Sequence, residues 1–417
     1  MESSAQAERV SIRLILSDRA VVTVIALAFV LMVGTGLVLP ILPLYARSFG
    51  IGYGEAGILI SAYALARLVS DLLSGLAVDR FGERLSACGG LLLMALAALL
   101  TGLAPSFALA VVFWAGAGAG SSFVFAAMYS HLLKLVPQTR MARTLSLFYG
   151  AFNVGVVVGG FAAGVIAHYL GLAAPLFFTA GVSIVCAALY LRFLPARGQP
   201  VEPPLTAQEV MLERQIAVPR HARARIAHIL RTPGFVMVIA TNLAYMWMVV
   251  AIFDTLVPLF AHDALGMSTV GIGAVFAIAL ATEFVVLYPA GSAADRRGRK
   301  FVLVPSLVAL AIMTAAVGWA ETPIMLGVAM ALLGVASGFA GVPPGAMLAD
   351  VVPREASGTA VGIFRFAGDV GFMLGPLVAG FTASSLGFRS AFAIAVVPTV
   401  VALILAVRSQ ETLRIPA

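Results

Sequence analysis

Five ionisable residues stand deep inside otherwise apolar runs of this chain: Arg67, Asp71, Glu283, Arg365 and Asp369. Charged groups in such surroundings are costly unless they are paired or reach water, so they mark ion and proton pathways by default. Arg67 and Asp71 are one helical turn apart, as are Arg365 and Asp369, a spacing that lets each pair neutralise itself on its own helix. Carboxyl groups in this setting can carry a proton, which makes Glu283, Asp71 and Asp369 candidate proton-coupling groups. Asp254, between Phe253 and Thr255, lies nearer one end of its run. It can attract a cationic substrate, close a gate, or stand solvated at a helix end. His131 and His168 fall at run ends and read as interfacial, despite histidine's titration range. No Ser/His/Asp set, phosphate-binding glycine loop or metal-ligand spacing accompanies them, so no catalytic residue, metal or cofactor is expected, and an ATP-driven pump is disfavoured.

The elements that must position these residues are membrane helices. Hydrophobic residues make up 61% of the chain and charged ones 11%, and the mean hydropathy is +1.04, far from the balance of a water-solvated domain. Twelve apolar runs are long enough to cross ~30 Å of hydrocarbon: 20–45, 55–77, 85–104, 107–131, 143–169, 172–194, 234–262, 268–292, 301–320, 324–350, 356–386 and 388–408. The first run is too long for a cleaved leader, lacks a small-residue cleavage site and leads into further spans, so it is read as a retained helix. Cys88 and Cys186 each fall within a span and read as core. The long polar linker, 196–232, contains several prolines and a basic stretch, Arg220-His-Ala-Arg-Ala-Arg225, which can anchor at or dock on anionic headgroups. It separates an N-terminal bundle, 1–195, from a C-terminal one, 233–417.

The two bundles are copies. Gly75-Leu-Ala-Val-Asp79-Arg80-Phe-Gly82 recurs 216 positions later as Gly291-Ser-Ala-Ala-Asp295-Arg296-Arg-Gly298, and both copies are expected to be loops. At the same offset, residues 146–171 and 362–387 share ten identities without a gap. Glycines at four-residue spacing in spans four, five and eleven mark close helix contacts, and Pro376 after Gly375 is expected to bend span eleven. Placing the N-terminus inside puts 22 of the 26 Lys and Arg residues on the same side, which explains the +7 charge by topology rather than by nucleic acid. Both termini are expected in the cytoplasm, in a bacterial-type inner membrane.

With these features the chain resembles the major facilitator superfamily of twelve-span transporters, over essentially its whole length. The loop pair is similar to that superfamily's repeated signature, and the resemblance implies that both loops, with Gly75, Asp79, Arg80, Gly82, Gly291, Asp295, Arg296 and Gly298, take part in gating. Gly36-Leu-Val-Leu-Pro40-Ile-Leu-Pro43-Leu-Tyr45 and Gly371-Phe-Met-Leu-Gly375-Pro376-Leu-Val-Ala-Gly380 resemble its proton-driven drug exporters. The chain departs from that pattern at Gly160, where the family has proline, and at Ala163, where it has glycine. It also lacks the Arg ahead of the span-four glycines, near Val112 and Trp114, and has Glu83 in place of a basic residue. The resemblance implies an all-α fold of two pseudo-symmetric six-helix bundles that rock about a central cavity. It further implies that Asp79 sits against the start of span eleven.

In that fold, spans two and eleven face each other. Counted at 1.5 Å per residue, Asp71 and Arg365 both lie roughly 12 Å deep, and Arg67 and Asp369 roughly 18 Å. Acid then meets base at both levels, and an Asp71–Arg365, Arg67–Asp369 latch is expected. The offset maps Arg67 to Glu283, Arg365 to Tyr149 and Asp369 to Asn153, so Glu283 is expected to meet only neutral groups across its own seam. Tyr129, Asn242, Tyr245 and Phe364 join Asp254, Tyr149 and Asn153 as the expected substrate cavity, and Tyr63, Phe125, Phe152, Trp247 and Phe276 are further aromatics that can line it. The leading expectation is a monomeric, proton-coupled exporter of small lipophilic neutral or cationic molecules, with membrane lipids, protons and the substrate as partners. The alternatives are a symporter or uniporter for an organic anion or other metabolite, and a non-transporting sensor or scramblase.

Overall fold

The protein is described by a computed structural model covering residues 19–135, 138–193, 229–232, 234–352 and 357–413. The linker expected at 196–232 falls almost entirely outside the described residues. No strand occurs among the described residues, and every predicted run carries a helix. Among the described residues, nine stretches are long and apolar enough to cross a membrane, and Val21–Gly36 is a shorter apolar helix.

The duplication reaches down to single backbone dihedrals. Gly50 and Gly266 (φ 76° and 62°), Gly82 and Gly298 (80° and 108°), and Gly171 and Gly387 (90° and 81°) are each 216 positions apart, and all lie in the left-handed region that glycine alone enters freely. Spans two and three form one helical stretch, Tyr53–Gly102, interrupted only at Gly82. A straight helix would put Tyr63 and Gly90 roughly 40 Å apart. Both instead pack against residues only two apart in span four, Gly118 against Tyr63 and Gly120 against Gly90, so the chain reverses at Gly82. This corrects the expectation of loops at 75–82 and 291–298. Gly75–Phe81 and Gly291–Arg297 are helical, and one glycine in each copy makes the turn. Ser357–Ala395 keeps helical dihedrals through Pro376 and departs from them at Gly387.

The same close approaches recur in both halves. An added Cβ at Gly118 would strike the Tyr63 carbonyl, and one at the equivalent Gly334 would strike Ala279. Between the halves, Gly380 lies against the Tyr53 carbonyl, and Gly164 against that of Thr269, its equivalent. Thr269 Oγ1 donates to the Gly164 carbonyl (2.9 Å), the Gly54 amide to Ser384 Oγ (2.9 Å) and Ser61 Oγ to the Met373 carbonyl (2.6 Å). Both seams, two against eleven and five against eight, are therefore sealed backbone to backbone at the end that carries Gly50 and Gly266. Towards the Gly82–Gly298 end they differ: spans two and eleven stay linked through Arg67–Asp369 and Arg365–Asp71. Spans five and eight flank an apolar cleft of about 460 Å³ lined by Val157, Val158, Phe161, Ala274, Ala277, Ile278 and Ala281. Beyond it, Tyr149 is 41% and Tyr288 86% exposed.

Candidate functional site

The four charges of spans two and eleven pair across the seam. Arg67 Nη2 meets Asp369 Oδ1, and Arg365 Nη2 lies 3.6 Å from Asp71 Oδ2. Among the described residues, no ion pair runs within either helix at these positions, although Asp71 also lies within electrostatic reach of Arg67. The two rungs differ. At the deeper one, the Asp369 side chain is 9% exposed and the Arg67 guanidinium lies over the Phe372 ring at 4.8 Å, with its Nε buried and without a hydrogen-bond partner. At the shallower one, Arg365 is half exposed and lies over Phe125 at 5.2 Å. Ser122, from span four, reaches both the Asp71 carboxylate and the Arg67 carbonyl (3.2 Å), its single proton serving one at a time. Nothing in the sequence pattern singled out Ser122. Its place opposite a buried carboxylate follows from the packing of span four on span two.

Glu283 is held inside its own half, a correction to the expected neighbours across the seam. Tyr245 of span seven donates to Glu283 Oε1 at 2.6 Å. Two glycines of span ten allow the approach: a Cβ at Gly341 would lie 2.7 Å from the Tyr245 ring, and one at Gly338 2.7 Å from the Glu283 carbonyl. Tyr149 instead lies within electrostatic reach of Tyr129 and Arg365, and Asn153 Nδ2 donates to the Tyr149 carbonyl of its own helix (2.8 Å). Asn242 is buried and its amide is engaged by the Phe364 carbonyl at 2.8 Å, so it ties spans seven and eleven together rather than lining open space. Tyr129 stacks on Phe125 at 6.1 Å.

Asp254 is 5% exposed, which rules out a solvated helix end. It sits in a π-helical segment, Val249–Leu256, a rare geometry that recurs at functional sites. The equivalent stretch of span one is also irregular: the helix ends at Gly36 and resumes at Leu42, across Pro40. The two interruptions touch, since Val250 packs in one cluster with Val38, Leu42 and Tyr45. Interrupted helices at matching positions of two repeats are where transporters of this architecture place ligand.

The signature segments carry their charges in different ways. Asp79, Arg80, Asp295 and Arg296 are exposed, and the beginning of span eleven, implied as the partner of Asp79, lies outside the described residues before Ser357. Glu83 is fully buried and accepts from Ser130 Oγ at 2.9 Å. In the second copy Arg299 pairs with Asp295 and, at 3.1 Å, with Asp350. The Glu411 carboxylate there accepts from the Arg299 and Lys300 amides, both at 3.0 Å, capping the helix start. His131 is fully buried beside Tyr190, one residue before the apolar span Phe107–Leu132 ends. His168 is exposed, and Cys88 and Cys186 are buried.

A family profile of the Major Facilitator Superfamily matches residues 24–285 and 263–414. Among curated relatives, multidrug resistance protein MdtG of Escherichia coli O1:K1 / APEC is 33% identical over 387 residues, 91% of this chain and 90% of that protein. Among solved structures, the nucleoside transporter NupG superposes with a TM-score of 0.75 at 14% identity, covering 93% of this chain and 99% of that one. The human organic anion transporter MFSD10 (TETRAN) gives 0.64 at 17% identity, with the same coverages.

Proposed function

The chain belongs to the Major Facilitator Superfamily, and on that premise we propose that this transporter exports small lipophilic neutral or cationic compounds in exchange for protons. What carries the reading is the pairing of all four charges of spans two and eleven, which leaves Glu283 and Asp254 as acids within the spans that no ion pair among the described residues engages; of these we assign the exchangeable proton to Glu283, which accepts from the neutral Tyr245. Asp254, beside the paired helix interruptions, is the acid to which a cationic substrate would be drawn. The apolar cleft between spans five and eight suits a lipophilic cargo. The whole-length relative named for multidrug resistance supports the same class. Alternating access supplies the mechanism: the halves rock, one end opens as the other seals, and proton binding at Glu283 biases which end is open. In this reading both termini face the cytoplasm of a bacterial-type inner membrane, and the Gly82–Gly298 end is the cytoplasmic one.

The test is uptake of a lipophilic cation into proteoliposomes under an imposed pH gradient. Accumulation against its concentration gradient that collapses with the pH gradient is expected, and Glu283→Gln should abolish it. Transport indifferent to the pH gradient removes the antiport reading. A second reading, transport of an organic anion, rests on Arg365, whose guanidinium is 51% exposed and 3.6 Å from its partner, so that an anionic substrate can compete for it. An organic anion accumulated in place of the cation, and lost in Arg365→Ala, would favour it.

A further inference from the structure

Arg47 and Asp263 are 216 positions apart, so each is the other's counterpart in the duplicated fold, and yet they touch: Arg47 Nη2 lies 3.4 Å from Asp263 Oδ2. Under a two-fold rotation a residue and its counterpart are separated by twice their distance from the axis. Counterparts can bond only where both stand beside it. The pair therefore lies at the pseudo-two-fold axis, at the end where both seams are sealed, and a substrate moving between the halves travels along that axis.

The surroundings make the pair part of a four-span closure. Arg47 Nη1 donates to the Ile51 carbonyl, and its guanidinium lies 4.6 Å from the centre of the Tyr53 ring. Tyr53 lies within electrostatic reach of Asp263, whose other oxygen lies 2.6 Å from His262 Nδ1. Tyr53 packs on Phe388 at 4.9 Å, and Phe388 on Phe260 at 5.5 Å. Span one is thus joined to span seven by the ion pair, and span two to spans twelve and seven by the rings. Neither charge lies within the coupling network of Glu283 or in the charged seam of spans two and eleven.

We propose that Arg47–Asp263 is the axial gate of the transport pathway, a charged clasp that holds this end shut and must part before the other facing state forms. The proposal rests on the alternating-access reading above. A half-exposed ion pair is weak, but it acts on an equilibrium between two states of similar energy, where a small bias changes populations severalfold.

The experiment uses the full chain, with Val38→Cys as a reporter beneath the clasp, a position only 2% exposed in the closed arrangement. Its rate of modification by a membrane-impermeant thiol reagent added from the Arg47 side reads how often this end opens. Arg47→Gln and Asp263→Asn should each raise that rate about twofold to fivefold, and the exchange Arg47→Asp with Asp263→Arg should bring it back towards the parent. In a second arm, Arg47→Cys with Asp263→Cys joined through two mixed disulfides by a short bis-methanethiosulfonate, each thiolate displacing a sulfinate, should stop transport while modification at Val38→Cys stays slow, and reduction of those disulfides should restore transport. Unchanged modification in both neutralised variants, or full transport through the joined pair, overturns the gate. Thiol modification needs no transported substrate, so its outcome stands apart from failure of the export reading, which would show as no accumulation by the parent protein.

Discussion

At the scale of the residue, burial decides how much each rung of the charged seam contributes. Truncating one partner of a buried pair leaves a bare charge in low dielectric, at a cost of about 3–5 kcal/mol, whereas an exposed pair contributes about 1 kcal/mol or less. Asp369 is 9% and Arg67 27% exposed, against 51% for Arg365. Thermal unfolding in detergent should therefore show a larger fall for Arg67→Ala than for Arg365→Ala, and equal falls would mean that burial does not set the difference. The Glu283 carboxyl accepts from Tyr245, and a glutamine can accept the same hydrogen bond but cannot release a proton. Glu283→Gln should leave the unfolding temperature within a degree or two of the parent while proton-driven transport falls at least about tenfold, the loss typical of a removed acid–base group. Tyr245→Phe should do the converse, lowering stability by about 1 kcal/mol through the lost hydrogen bond with proton-driven transport partly kept.

At the scale of the element, glycine clearance sets which helices touch. Gly164 and Gly380 each face a carbonyl of the opposite half, so an added methyl pushes the seam apart at about 1–3 kcal/mol. Gly164→Ala and Gly380→Ala should slow transport to a similar degree, because they are the same contact in two copies. Gly75→Ala should be near neutral, since nothing stands within 4 Å of its added Cβ. A strong transport defect in Gly75→Ala with intact folding would assign that signature glycine a role in the other facing state. The signature motif was legible as a repeat, but its conformation was not: polar residues and glycines read as loop, whereas the helix on either side of Gly82 and Gly298 runs to within one residue of the turn.

At the scale of the whole molecule, the halves are joined by two seams of unlike chemistry, one laddered with charge and one apolar, and by an ion pair on the axis between them. The charge distribution along the chain makes a topological prediction. A cysteine introduced in 196–232 should resist an impermeant thiol reagent in intact cells and react in inverted vesicles, and efficient reaction in intact cells would reverse the orientation.

Class, duplication, approximate spans and the depth of each buried charge were all legible in the sequence, because hydropathy and helical rise are sums along the chain and do not depend on which helices meet. Depth and sign brought Arg67 opposite Asp369 and Asp71 opposite Arg365 once the facing of spans two and eleven was taken from the family resemblance. Partners that depend on how a helix is rotated about its own axis stayed hidden. Glu283 meets Tyr245 because span ten offers Gly338 and Gly341 at the crossing, and Asp254 is buried in a π segment, whose wider turn changes which side of span seven faces inward. Arg47 and Asp263 stand just beyond the apolar runs 20–45 and 234–262, and nothing in the chain but their spacing of 216 relates them. Only the two-fold arrangement of the halves, fixed by backbone contacts at glycine, brings opposite charges at equivalent positions together on one line.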